Sequence, residues 1–437
     1  MLSKHKIFTL GLQHVLAMYA GAVVVPLVIG GALNLTPTQI AYLIAADLFT
    51  CGIATLLQVI GTRYTGIRLP VVLGCTFTAV GPIIAIGSTS NLATVYGAII
   101  VSGLFVVLAA PLFGKLLKFF PTVVQGSVVT IIGLSLIPAA MNNVAGGDGS
   151  PDFGNPRNLL LALGTLVLIL LINRFAKGFM RAISVLLGLV AGTIVASFMG
   201  MVDFSTVKDA SWFSVVEPFY FGVPEFSIVA IITMILVNII SMAESTGVYF
   251  ALGRTTNTEI GKEDVVKGLR GEGVAIMLGG VFNAFPYTAF SQNVGLVQMT
   301  GIKSRNVMIG AGIILLVLGL LPKLAALTTV IPNPVLGGAM VAMFGMVIAS
   351  GINILSQVDL RQNENLLIAA CSIAIGLGSA VMPSMFDQLP TMLKMLLQNG
   401  IVTGSLTAVI LNLLLVHWNK NLSQTAAAEG SPSMTKG

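Results

Sequence analysis

At 437 residues, 56% of them hydrophobic and only 9% charged, with a mean hydropathy of +0.97, the chain holds more apolar residues than a water-soluble core of this size can use, so it is read as a polytopic membrane protein. The net charge of +6 comes without a basic patch interleaved with aromatics, which sets nucleic acid aside. Cys51, Cys75 and Cys371 each lie in an apolar run, without the paired spacing of a zinc site or a disulfide framework.

The N-terminal stretch MLSKHKIFTLGLQHVLAMYAGAVVV has the basic start of a secretory leader. Its apolar run is too long and offers no cleavage site, so it is read as the first span. Runs of roughly spanning length then follow, giving fourteen in all: 7–32, 38–61, 69–87, 93–113, 119–140, 157–174, 181–201, 225–252, 265–285, 286–301, 305–328, 332–355, 363–382 and 396–416. A Gly/Asp-rich loop at 141–156 and a longer polar loop at 203–224 interrupt them. The polar, low-complexity tail at 420–437 is predicted to be disordered.

Charge tests this count, because cytoplasmic loops hold the excess of Lys and Arg. With the N-terminus inside, all 22 basic residues except Arg157, Lys208, Lys323 and Lys394 fall on the cytoplasmic side. The C-terminus is then cytoplasmic too. An odd number of spans in each half implies that the halves, if duplicated, are inverted. Span 5 opens Pro121-x-x-Val124-x-Gly126 and span 12 opens Pro332-x-x-Val335-x-Gly337, the same spacing seven spans later.

Spans 3 and 10 break the pattern. Span 3, LPVVLGCTFTAVGPIIAIG, is short and interrupted by Gly74, Gly81 and Pro82. Span 10 lies within PYTAFSQNVGLVQMTGIKSR, too short and too polar for an ordinary helix. Gln292, Asn293, Gln298 and Thr300 bring polar groups to a depth where each must find a partner. A broken segment is expected there, with a half-helix starting near Ser291–Val294 and aiming free N–H groups into a cavity.

Three acidic residues lie well inside apolar runs: Asp47, Glu244 and Glu272. Each costs at least about 2.5 kcal/mol on insertion scales, so each is a functional candidate. Glu244 shares a helical stripe with Asn238 and Ser241, and can accept hydrogen bonds from the ring N–H groups of a planar solute or carry a proton. A structural carboxyl tied to a neighbouring helix would leave the same pattern. Glu272, between Gly271 and Gly273, suits proton binding or a structural role. Asp47 reads as a structural carboxyl bonding the broken backbone. His14, the one histidine inside a span, reads as an orienting residue, with proton transfer as the alternative. No spacing supports a metal site, a catalytic triad or a phosphate loop, so no cofactor is expected, and uphill transport would draw on an ion gradient.

Gln292-Asn293-Val-Gly295, Thr300-Gly301 and Ser304-Arg305 together resemble the signature of the nucleobase-ascorbate transporters, also called nucleobase:cation symporter 2. Gln13-His14, Gly74-Cys75-Thr76-Phe77-Thr78, Glu244 and Gly271-Glu272-Gly273 extend the resemblance along the chain, nearest to bacterial xanthine and uric acid permeases. It implies an all-α polytopic membrane protein of fourteen segments in two inverted repeats of seven, with segments 3 and 10 each broken into a short strand and a half-helix. A core domain (1–114 and 225–328) and a gate domain (115–224 and 329–419) would follow, and a homodimer in the cell membrane.

The resemblance further implies proton-coupled uptake of an oxopurine. Glu244 and Gln292 would hold the ring, Phe77 and Phe290 would cover its faces, and Ser291 and Phe77 would offer backbone groups. Thr78 and Asn293 would complete the substrate site, while Glu272, Glu244 and His14 would serve proton coupling and orientation. Xanthine is the first expectation and uric acid the alternative, since Thr78 stands where some xanthine carriers have Asn and some uric acid carriers have Thr. An anion carrier of related fold would call for a basic residue at the half-helices, and an enzyme for a nucleophile–base pair. Neither is present in the sequence.

Overall fold

The computed structural model describes residues 3–116 and 120–418. The predicted tail at 420–437, and Lys118, Lys420 and Lys436 of the charge count, lie outside them. The helices of eight residues or more are α1 (Lys4–Ala32), α2 (Pro37–Ile60), α3 (Val80–Thr89), α4 (Leu92–Ala109), α5 (Thr122–Val144), α6 (Pro156–Phe175), α7 (Ser184–Phe198), α8 (Ile228–Thr256), α9 (Lys262–Val281), α10 (Ser291–Thr300), α11 (Arg305–Gly319), α12 (Pro322–Thr329), α13 (Asn333–Leu355), α14 (Asn363–Val381) and α15 (Gly400–Asn412). Two strands, β1 (Leu73–Cys75) and β2 (Tyr287–Ala289), form a small antiparallel sheet.

Eight helices among the described residues are long and apolar enough to cross a membrane. A ninth crossing arises if α11 and α12 are one span bent by 78°. The run at 305–328 was expected to be continuous. It breaks because Pro322, at the first position of α12, has no N–H to continue the ladder after Gly319. The remaining runs form shorter apolar helices, or are α9 and α10, whose charged and amide residues lower their apolar content.

The chain divides into two compact units, Met1–Gly114 with Leu136–Met346, and Lys115–Ser135 with Val347–Gly437. In the first, helices meet at glycines that bring backbones together, the close approach favoured where lipid removes any hydrophobic gain from helix pairing. A Cβ on Gly52 would lie 2.7 Å from the carbonyl of Gly312, which sets α2 against α11. Gly103 and Gly273 do the same for α4 and α9, and Gly11 against Ala311 for α1 and α11. In the second unit α14 packs on α15, where a Cβ on Gly376 would stand 2.9 Å from the Gly400 carbonyl.

Candidate substrate and proton site

The first unit is pinned at its centre by the β1–β2 pairing, in which Leu73 faces Ala289, Gly74 faces Thr288 and Cys75 faces Tyr287. Thr76 N–H to Pro286 O (2.9 Å) and Phe290 N–H to Val72 O (3.0 Å) extend the ladder by one bond at each end. Three-residue strands cannot satisfy themselves inside a membrane, so neighbouring side chains complete them. Thr55 Oγ1 accepts from Leu73 N–H (3.1 Å), Ser245 Oγ accepts from Ala289 N–H (3.0 Å), and Ser245 and Thr288 share a hydroxyl bond of 2.9 Å. Tyr287 donates its hydroxyl to Asp47 Oδ1 at 3.2 Å, and Cys51 Sγ lies 3.7 Å from Asp47 Oδ2. Asp47 is fully buried, so its carboxyl ties α2 to the crossing, as expected of a structural carboxyl.

Each strand leads into a half-helix. After β1, a turn of 3-10 helix at Phe77–Ala79 opens α3, with the Thr76 hydroxyl accepting from Thr78 N–H. After β2, α10 begins at Ser291 as expected, and its N-cap, Phe290, supplies no side-chain acceptor for the first N–H groups. Those donors and the positive end of the helix dipole therefore face whatever occupies the space before α10.

α8 packs against α10, and both turn polar, accessible faces outward from the sheet. On α8 the face carries Glu244 and Gly247; on α10 it carries Ser291, Gln292, Gly295 and Gln298. Gly247 and Gly295 have no atom within 4 Å of where a side chain would begin, so the space beside them is open. A face of this polarity borders water or a polar solute and not lipid tails. Glu244 has no hydrogen bond or ion pair among the described residues, whereas Asn238 and Ser241, read from the sequence as sharing its polar stripe, are buried. Ser245, one position on, faces the sheet instead. An accessible carboxyl with no protein partner among the described residues, on a helix packed against one whose first N–H groups are uncapped, can recognise a flat solute with both donors and acceptors.

Two aromatic rings border this region. The ring of Phe290, which is 6% exposed, lies over Gly74 and Gly21, and a Cβ at Gly74 would overlap it. The partly exposed Phe77 approaches the same Gly21 and meets Phe344 edge-on, with ring centroids 5.8 Å apart. Thr78 is buried, at 1% exposure. Asn293 is buried too, and its amide is engaged by His14: Nδ2 lies 3.0 Å from His14 Nδ1 and donates to the His14 carbonyl at 3.2 Å. Because that carbonyl can only accept, Nδ2 is the atom facing the ring, and His14 Nδ1 accepts from it. His14 thus orients the first turn of α10.

Glu272 lies apart from this face. Tyr249, one and a half turns beyond Glu244 on α8, donates its hydroxyl to Glu272 Oε1, and Gln58 Nε2 donates to Tyr249 Oη at 3.1 Å. Gly273 admits the Gly103 backbone, and Gly271 admits the Gln58 side chain and the Gly66 backbone. Tyr249, Gln58 and Tyr287 were not singled out from the sequence. An amide in the apolar run LLQVIG and tyrosines near the ends of their apolar runs are the only signals, and each is commonplace alone.

The model of the Permease family for xanthine and uric acid permeases matches residues 5–385. A xanthine permease of Bacillus subtilis is 59% identical over 409 residues, covering 94% of this chain and 93% of its own. The uric acid permease PucK of the same organism is 60% identical over 407 residues, covering 93% and 95%. The uric acid transporter UacT of Escherichia coli is 49% identical, covering 94% and 86%. Among solved structures, the transmembrane domain of the cyanobacterial bicarbonate transporter BicA matches with a TM-score of 0.57 at 17% identity, covering 94% of this chain and 98% of its own. SLC26A9 matches with a TM-score of 0.61 at 12% identity, covering 94% and 66%, and these two likenesses concern the fold.

Proposed function

Since the chain belongs to the xanthine and uric acid permease family, within the nucleobase-ascorbate transporters, and is an integral membrane permease and not an enzyme, we propose that it imports xanthine across the cell membrane together with protons. Uric acid is the alternative substrate, since relatives named for either purine are equally similar. The observation that carries this reading is Glu244, accessible and without a partner among the described residues, on the helix that packs against the uncapped α10. Glu244 accepts from ring N–H groups, and the Gln292 amide, which both donates and accepts, matches an adjacent N–H and carbonyl of an oxopurine. Backbone groups at Phe77 and Ser291 complete the edge contacts, Phe77 and Phe290 cover the ring faces, and Thr78 and Asn293 complete the substrate site. Glu272 and Glu244 take up the coupling protons, and His14 holds the geometry.

The architecture we infer is fourteen segments in two inverted repeats, with both termini cytoplasmic. Reciprocal contacts support it. Gly126 near the start of α5 meets Leu355 at the end of α13, while Gly337 near the start of α13 meets Val144 at the end of α5. The same 211-residue offset separates Gly126 from Gly337 and Val144 from Leu355. The β1–β2 register is likewise symmetric about its central pair, Gly74–Thr288. Residues 1–114 and 225–328 would form a core domain that carries the substrate past a gate domain of 115–224 and 329–419, in a homodimer.

Uptake of labelled xanthine into proteoliposomes, with uric acid, guanine, hypoxanthine and uracil as competitors and with or without a protonophore, tests this function. Competition by uric acid but not uracil, with accumulation lost on adding the protonophore, is the expected result. Xanthine uptake that ignores the proton gradient, or uptake of an inorganic anion instead, overturns it.

A further inference from the structure

The hydrogen bonds around Glu272 have a direction that can be read without seeing a hydrogen. Ile67 N–H can only donate, so the Gln58 atom 3.0 Å away is the carbonyl Oε1. The other end of that amide is therefore Nε2, which donates to the Gly268 carbonyl at 2.7 Å and to Tyr249 Oη at 3.1 Å. With its oxygen already accepting from Gln58, Tyr249 has one hydrogen left to give, and it points at Glu272 Oε1. Gln58, Tyr249 and Glu272 are all at most 1% exposed, so water does not compete along the chain. Glycine at 268 is part of the arrangement, because a Cβ there would stand 2.7 Å from Tyr249 Cε2 and push the ring away.

We propose that Tyr249, oriented by Gln58, is a positioning residue for proton coupling: it presents its single hydroxyl hydrogen to Glu272 Oε1, so that a proton taken up by that carboxyl binds at Oε2. This rests on the reading of Glu272 as a proton-carrying group. The chain joins α2, the loop at 61–68, α8 and α9, since Gly66 N–H also donates to the Lys267 carbonyl at 2.8 Å and Arg68 N–H to the Gln58 carbonyl at 2.8 Å. Proton uptake at Glu272 is thereby felt by four segments at once, one of which, α8, carries Glu244.

The ionisable groups that bear on Glu272 are few. α8 presents Tyr249 and, further along, Glu244. α2 presents the neutral Gln58, and α4 crosses at Gly103 and Val107. Tyr287 of β2 is turned to Asp47. Lys267 and Arg270 on α9 form no ion pair among the described residues, and Arg68 Nη2 is bound to the Thr62 carbonyl. Among the described residues Tyr249 is thus the side chain hydrogen-bonded to Glu272, with the Ser245 hydroxyl of α8 as the other donor nearby.

The test is the pH profile of initial uptake of labelled xanthine, or of uric acid if wild type accumulates that instead, in proteoliposomes normalised for transporter content. Tyr249→Phe keeps the ring over Gly268 and removes only the donor. With the ionised carboxylate left short of its hydrogen bond, uptake persists to more alkaline pH, by about one pH unit for a charge-assisted bond of ordinary strength. Gln58→Leu leaves the hydroxyl but frees it to turn, and moves the profile the same way by less, which keeps the proposal testable if Tyr249→Phe does not reach the membrane. Profiles superimposable on wild type, in a protein still sensitive to protonophore, overturn the positioning role and leave proton-coupled uptake standing. A shift in Tyr249→Phe alone overturns the part assigned to Gln58. A wild type indifferent to pH and protonophore overturns both readings.

Discussion

Asp47 and Glu244 are both carboxyls on long apolar helices, and the protein surrounds them in opposite ways. Asp47 is enclosed, receives the Tyr287 hydroxyl on one oxygen and has the Cys51 thiol beside the other. Glu244 is accessible and has no partner among the described residues, although its helix neighbours Ser245 and Thr246 are buried and bonded. Exposure and partnering therefore distinguish the two where residue type does not. On the proposed function, the satisfied carboxyl holds the crossing together and the unsatisfied one takes a ligand or a proton. Glu272 stands between them, buried like Asp47 and held by the Tyr249 hydroxyl.

The sharpest way to break this contrast is to neutralise each carboxyl in turn. Glu244→Gln should lower purine uptake by about 100-fold or more, as loss of roughly 3 kcal/mol of charge-assisted hydrogen bonding implies, while the protein still reaches the membrane. Normal accumulation of labelled xanthine by that variant would remove Glu244 from the substrate site. Gln292→Glu replaces an amide that donates and accepts by a group that only accepts when ionised. Oxopurine affinity should fall about tenfold in competition assays, and an unchanged competition profile would argue against direct contact.

Gly74→Ala reaches the binding region from the structural side. The added methyl displaces the Phe290 ring that now lies over Gly74, so KM should rise several-fold with little change in protein abundance. Asp47→Asn should behave differently again. It weakens the tie to Tyr287 and should lower thermal stability in detergent by about 1–2 kcal/mol, leaving KM near that of wild type. A large rise in KM with unaltered stability would mean that Asp47 acts on the substrate. Smallest of all, Ser245→Ala removes one acceptor from Ala289 N–H and one hydroxyl partner from Thr288, and should cost about 1 kcal/mol by the same thermal measurement.

Much of this was legible in advance. Glycine and proline interruptions mark the third run as broken and polar residues in a short run mark the tenth, and α10 begins at Ser291, within the expected stretch. The flanking glycines of Glu272 do admit neighbouring backbone. The bend at Pro322 went unread because the hydropathy of 305–328 is continuous across it, and hydropathy does not register a missing N–H. Thr78 and Asn293, expected at the substrate, are both buried; His14 holds Asn293 Nδ2, and Asn293 Oδ1 has no partner among the described residues.

Composition and order of residues by themselves determined that this chain lives in a membrane, where its segments are interrupted, and which few polar groups have to be accounted for there. They could not determine which of those groups is already satisfied. The partners come from far along the chain: Tyr287 lies 240 residues from Asp47, Asn293 lies 279 from His14, and Tyr249 lies 191 from Gln58. A hydrogen bond depends on a distance of about 3 Å and on direction, and only the packed helices bring such remote residues within that reach.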